Sequence, residues 1–186
     1  MANGLQQRPA QGRERTLQGL APTPARRRIL TLRNRQRLRR VDPRLLRQIV
    51  QALLGETWPG GSFDLAIYVV AAPEMTRLNE TFLRHKGPTD VITFSYAEAG
   101  GRGSCLCPGL LHGEIFVCAD EAVSQARRYH TTWQSELVRY IVHGVLHLLG
   151  HDDLQSRGRA RMKKAEDGLL RQLARRFDFE RLSSKG

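Results

Sequence analysis

No apolar run in this 186-residue chain approaches the roughly 18 to 20 residues that a membrane-spanning helix needs, and the N-terminus lacks the apolar core of a secretory signal. Cysteine is scarce. Cys105, Cys107 and Cys118 are odd in number and make a poor disulfide framework, so free thiols in a reducing cytoplasm are expected. Cys105 and Cys107 stand too close for the usual C-x-x-C zinc spacing, and there is no second pair. Aromatic residues are only 6% of the chain, which argues against a base-stacking platform. No internal repeat is visible. The chain is long enough for one domain with a core of its own.

Acidic residues are missing from one region in particular. Residues 1–40 hold eleven arginines, no lysine and a single acid, Glu14, so they carry most of the formal charge of +12. The remainder is nearly balanced, with 19 basic and 17 acidic residues. Residues 1–27 have no periodic apolar positions and read as a disordered basic arm. Such an arm is a solvated tail that can also hold phosphates without sequence preference, through residues such as Arg26, Arg27 and Arg28. It is arginine-rich like a transit peptide but contains no serine. Residues 28–180 read as a single domain and 181–186 as a tail.

Within the domain, strands alternate with helices. Ile29–Leu32, Phe63–Val70, Thr89–Tyr96 and Gly113–Ala119 have strand character. A helix follows Asp42-Pro43, an N-cap with proline at the first helical position, and Gly55 is its expected stop. Others are expected from about Pro73 to Arg84, over "ADEAVSQARRYH", from Thr131 with Gln134 in a capping-box pattern, and from about Arg159 to Arg176. Residues between Tyr96 and Gly113 form a glycine-rich loop. The pattern predicts an α/β (α+β) fold: a small mixed β-sheet packed with helices.

The most informative stretch is "HGVLHLLGHDD", residues 143–153. His143 and His147 are four residues apart on the long helix and project from one face, about one turn from each other. Two neutral imidazoles so placed can bind one metal ion, with zinc the usual choice. A single histidine there would read as a satisfied core residue; a pair followed by a helix-stopping glycine and further donors does not. Gly150 allows the chain to turn back and bring a third ligand to the ion, either His151 or Asp153. Spacing alone leaves both open. A glutamate after the first histidine, the general base of an H-E-x-x-H metalloprotease, is absent, and Gly144 stands in its place. That argues against peptide hydrolysis by that mechanism.

"HGVLHLLGHDD" resembles the H-G-x-L-H-L-x-G-[YH]-D-H motif of the YbeY family of endoribonucleases and ribosomal RNA maturation factors. "LNETFLRHKGPTDVITFSY" is similar to the family's N-x-x-[FY]-R…P-T-D-V-L-S-F block and "HGEIFVC" to its G-D-I strand. "ELVRYIVHG" and "RMKKAEDGLL" match the flanking helices, so the likeness covers about Ile29 to Leu173. The resemblance implies an α/β sheet-and-helix domain with a metzincin-like metal helix and one zinc ion per chain. It also implies zinc-dependent, single-strand-specific endoribonuclease activity in maturation of the 16S rRNA 3′ end and ribosome quality control. The implied setting is the cytoplasm, with single-stranded rRNA, the small ribosomal subunit and its proteins as partners and no membrane.

The sequence departs from the family pattern twice. The family's third histidine, ten residues after the first, is here Asp153, so the resemblance favours His143, His147 and Asp153 as ligands, with His151 the alternative. The arginine that the family places after the aromatic of N-x-x-[FY] is here Leu83, and Arg84 follows it as a catalytic candidate from a shifted register. Arg84 and Lys86 are candidate phosphate contacts. Glu114, Asp152 and His151 are candidate general bases, whereas Thr89-Asp90 read as a strand-edge device and His112 as a solvated loop residue. Two other functions fit the residues: a non-catalytic ribosome-assembly factor with a structural zinc, and a peptidase-like metallohydrolase.

Overall fold

The structure, a computed structural model, describes residues 27–96 and 110–183. The arm up to Arg26, most of the glycine-rich segment with Cys105 and Cys107, and residues 184–186 lie outside the described residues.

Four strands form one sheet in the order β1-β2-β4-β3, where β1 is Arg28–Asn34, β2 Ser62–Val70, β3 Val91–Ser95 and β4 Leu110–Cys118. β1, β2 and β4 are parallel and β3 runs antiparallel to β4, which makes the sheet mixed as expected. Register sets the faces, because successive side chains alternate. Leu32, Ile67, Ile115 and Thr93 line up across all four strands on one face. Tyr68, Phe116 and Ile92 line up on the other.

The first face carries the main core. α1 (Pro43–Thr57) contributes Leu46, Ile49, Val50, Leu53 and Leu54 to it. α4 (Trp133–Leu148) contributes Leu137, Val138, Ile141, Val142, Val145 and Leu146. α4 is apolar nearly all round in its middle turns, as a central helix must be, and it packs on β3, β4, α3 (Ala119–Tyr129) and α5 (Ser156–Ala174). Met162 of α5 is buried in that core, as its helical spacing predicts. The second face is covered by the short α2 (Ala72–Leu78), whose Met75 packs with Val70, Ile92, Phe116 and Cys118. α2 has no cap of its own; its Ala72 amide donates to the Asp120 carboxylate on α3 at 2.7 Å.

Several local expectations change. Asp42 caps α1 as predicted, accepting from the Arg44 and Leu45 amides. Gly55 does not stop that helix, which runs on to Thr57; the left-handed turn falls at Gly60. The N-cap of α4 is Thr132, not Thr131, and no capping box forms. Thr131 instead donates to Glu136, and the Gln134 amide donates to the Glu180 carbonyl and the Ser183 hydroxyl. α2 ends at Leu78 and continues as one π-helical turn, Asn79–Leu83, with Arg84 left-handed behind it. Leu182, beyond the expected domain end, is fully buried, and its carbonyl accepts from the Asp42 amide.

Candidate metal centre

The two histidines owe their common direction to α4, and the third group to the way α4 ends. Gly150 is left-handed at φ 84°, with its amide on the His147 carbonyl and the His151 amide on the Leu146 carbonyl. These paired bonds are those of a Schellman motif. The chain reverses and brings Asp153 over the last turn of the helix. Asp152 accepts from the Leu154 amide, and the Arg159 guanidinium donates to the carbonyls of Asp153 and Leu154. Gly158 lets α5 approach this loop, because a Cβ there would lie 2.3 Å from the Asp152 carbonyl oxygen.

One donor atom from each of His143, His147 and Asp153 lies within 4.8 Å of the others. The His143 and His147 Nε2 atoms are 3.1 Å apart, and Asp153 Oδ2 is 3.8 and 3.9 Å from them. These separations define a triangle with a circumscribed radius of about 2.1 Å, close to zinc–nitrogen and zinc–carboxylate bond lengths of ~2.0–2.2 Å. The donor set therefore fits a single zinc-sized ion. The His151 ring is not among the converging groups; its carbonyl instead lies 3.1 Å from His147 Nδ1.

Both histidines are held from behind. His143 Nδ1 is 3.0 Å from Oε2 of Glu166 on α5, and the other Glu166 oxygen accepts from Arg139 at 2.6 Å. Arg139 also pairs with Glu136 and Asp167. The hydrogen bond to Glu166 raises the His143 pKa above its ordinary value, against the effect of burial. Burial would raise the Glu166 carboxyl, but its bonds from His143 and Arg139 outweigh that and hold it below the usual range. With Nδ1 engaged on each ring, Nε2 is the nitrogen presented to an ion.

The cluster separates two cavities. One of about 570 Å³ reaches along α5 and includes His143, Asp153, Arg159, Lys163 and Glu166 in its lining. The other, about 390 Å³, follows the edge strand β3 and is lined by Asp90, Thr93, Ser95 and Leu83 beside His143, His147 and Asp153. Thr93 Oγ1 is buried with no partner. Gly144 faces it from α4; a Cβ would stand 2.7 Å from Ile115 and 3.1 Å from Thr93 Oγ1, so a glutamate base has no room at that position.

Other expected residues are placed elsewhere. Leu83, not Arg84, lines the second cavity, and Arg84 and Lys86 are exposed residues outside that lining. Arg27 pairs with Asp64, and Arg28 donates to the Gly61 carbonyl. Both lie at β1, the sheet edge opposite β3 and so about 14 Å across three strand spacings from it. Arg26 lies outside the described residues. Glu114 points to the second sheet face, accepting from Tyr68 and Tyr96, and is thus separated by the sheet from the histidines. Asp152 is exposed and occupied by the Leu154 amide. His112 is a half-buried strand residue against Tyr96, not a solvated loop residue. Thr89 donates to Asp90, which also accepts from the Val91 amide, a strand-edge device as read. Glu166 and Arg139 were not singled out from the sequence. The available signal was an acid inside the apolar stripe Met162, Glu166, Leu170 and Leu173 of α5.

A histidine pair and a carboxylate converging at the end of a helix that backs onto a mixed sheet define a metal-dependent hydrolase with a metzincin-like metal site. The family model described as endoribonuclease YbeY matches residues 31–174, and the chain belongs to that family. The endoribonuclease YbeY of Chlorobium luteolum is 33% identical over 146 residues, covering 78% of this chain and 98% of its own length. That of Chlorobaculum tepidum is 35% identical over 136 residues, covering 73% and 91%. That of Salinibacter ruber is 33% identical over 133 residues, covering 71% and 83%. A solution structure of a Thermotoga maritima protein shares the fold, with a TM-score of 0.57 at 22% identity over 84% of this chain and 97% of that one. No helix among the described residues is long and apolar enough to cross a membrane.

Proposed function

We propose that this chain is a zinc-dependent endoribonuclease that cuts single-stranded RNA. Its place is maturation of the 16S rRNA 3′ end and quality control of the small ribosomal subunit, in the cytoplasm. His143, His147 and Asp153 hold one zinc ion per chain. The observation that carries this reading is their convergence at a zinc-sized spacing between two open cavities, in a chain of the YbeY family. The working domain is residues 28–180 with the C-terminal turn docked on it, and residues 1–27 serve as a phosphate-binding arm.

Zinc held there would supply a Lewis acid for the phosphoryl oxygen and make water a stronger acid near neutral pH. The chain's own residues do the positioning. Glu166 and the His151 carbonyl fix the two imidazoles with Nε2 forward. Gly150 and Gly158 set the path of the Asp153 loop. The edge strand β3 and Leu83 wall the second cavity, and the Thr93 hydroxyl is buried beneath its floor against α4. Arg84 and Lys86, exposed and close behind Leu83 in the chain, serve as phosphate contacts in this reading. Asp153 in place of a third histidine would hold the ion with a carboxylate and leave the site less positive.

The deciding experiment compares zinc-loaded protein with the His143→Ala/His147→Ala double variant on a single-stranded RNA carrying the 16S 3′ end. Cutting by the first alone supports the reading. Equal cutting by both assigns the activity to a contaminant. Zinc and RNA binding without cutting makes the chain a non-catalytic assembly factor.

A further inference from the structure

Beyond residue 40 the cations are nearly balanced in number by acids, 19 to 17, but they are not evenly spread. Residues 156–164, "SRGRARMKK", carry Arg157, Arg159, Arg161, Lys163 and Lys164 and no acid. All five are exposed on the first half of α5, and none forms an ion pair among the described residues. Five like charges within about two and a half turns repel one another and contribute nothing to helix stability. A merely solvated face more often interleaves the two signs.

The location supplies the second observation. Arg159 and Lys163 are four residues apart, on one face of α5, and both line the cavity that ends at His143 and Asp153. Arg159 Nη1 is tied to the carbonyls of the Asp153 loop, which fixes its guanidinium at the mouth of the site. Of the acids in the same lining, Glu136, Glu166 and Asp167 are engaged by Arg139, and Asp153 belongs to the candidate metal cluster. Outside the metal cluster, the charged groups of this lining that have no ion-pair partner among the described residues are therefore the cations Arg159 and Lys163.

We infer that the first half of α5 is a docking surface for the phosphate backbone of single-stranded nucleic acid, with Arg159 and Lys163 leading the strand to the metal centre. The inference rests on the endoribonuclease reading for its substrate class, and it adds to the basic arm a phosphate track on α5 that leads to the metal centre. Arg159 and Lys163 are about 6 Å apart along the helix axis, so each can take a separate phosphate. Arg157, Arg161 and Lys164 extend the field outward and steer the strand in.

The test is binding of zinc-loaded full-length protein to a short fluorescent oligouridylate across a salt titration, with the probe checked for integrity on a gel. Loss of two phosphate contacts in Arg159→Gln/Lys163→Gln should flatten the slope of log K against log salt by about 1.4 and weaken binding about tenfold near physiological salt. Arg171→Gln/Arg175→Gln, at the other end of the same helix, removes equal charge from exposed positions and should leave the slope near that of wild type. An unchanged slope in the first variant, an equal loss in both, or no binding by wild type overturns the docking surface. Cutting is scored separately. A wild type that binds with this dependence and does not cut overturns the endoribonuclease reading and leaves the surface standing.

Discussion

The Nδ1 atom of His143 and the Oε2 atom of Glu166 are 3.0 Å apart, joining the helix that carries both candidate histidine ligands to a residue 23 positions further along the chain. This contact does two things. It sets the imidazole tautomer, and it makes the packing of α5 on α4 part of the metal centre. Glu166→Ala should weaken zinc binding about 10- to 100-fold, in the range of lost partners behind metal-bound histidines. Glu166→Gln, whose amide oxygen still accepts from Nδ1–H, should lose less. Competition with a chromophoric chelator measures both, and equal affinity in all three proteins would remove Glu166 from the site.

The third ligand is open to a direct comparison. Asp153→Ala and His147→Ala should each lose most of the bound zinc by metal analysis, whereas His151→Ala should keep a full equivalent. The reason is that the His151 ring is outside the cluster and only its carbonyl is used. Full zinc in Asp153→Ala would hand the role to another group.

Arg139 sits between three acids, of which Glu136 and Glu166 are the more buried. Removing the cation leaves those carboxylates uncompensated, so Arg139→Ala should cost about 3 kcal/mol of stability in a denaturant titration. A change below ~1 kcal/mol would mean that water replaces the guanidinium there.

Gly144 marks a close approach of α4 to the sheet. In Gly144→Ala the new Cβ meets the branched, fully buried Ile115, and the variant should lose roughly 1–3 kcal/mol. The helix propensity of alanine works the other way by about 1 kcal/mol. A more stable variant would show that the contact relaxes at little cost.

Burial pushes the Cys118 thiol up to about 11. At pH 8 it is protonated and enclosed, so peptide mapping after alkylation should find it unmodified in the native protein and labelled in denaturant. The sign for stability follows. An ordinary thiol in the unfolded chain loses its proton at a lower pH than Cys118 in the folded one. Its contribution to stability is therefore lost as pH rises from the unfolded value, near 9, towards 11.

Periodicity and local chemistry go far in this chain. The i, i+4 spacing of His143 and His147 determines that they share a helix face, and Gly150 that the helix ends there, because both effects act within a few residues. Asp42-Pro43 starts α1 for the same reason. The family blocks, with Asp153 at the third-ligand position, are likewise readable in one dimension. The order β1-β2-β4-β3, the sheet face on which Glu114 points, and the exclusion of the His151 ring are not, since each depends on strand pairing or loop path between distant segments. Thr132 displaces Thr131 as cap because Thr131 and Gln134 find partners in the tertiary structure. Glu166 joins the site, and the cations of α5 gather at its rim, only when α5 packs against α4. Sequence alone determined which donors can meet a metal; packing decided which of them do, because a ligand's direction is fixed by contacts that lie far away along the chain.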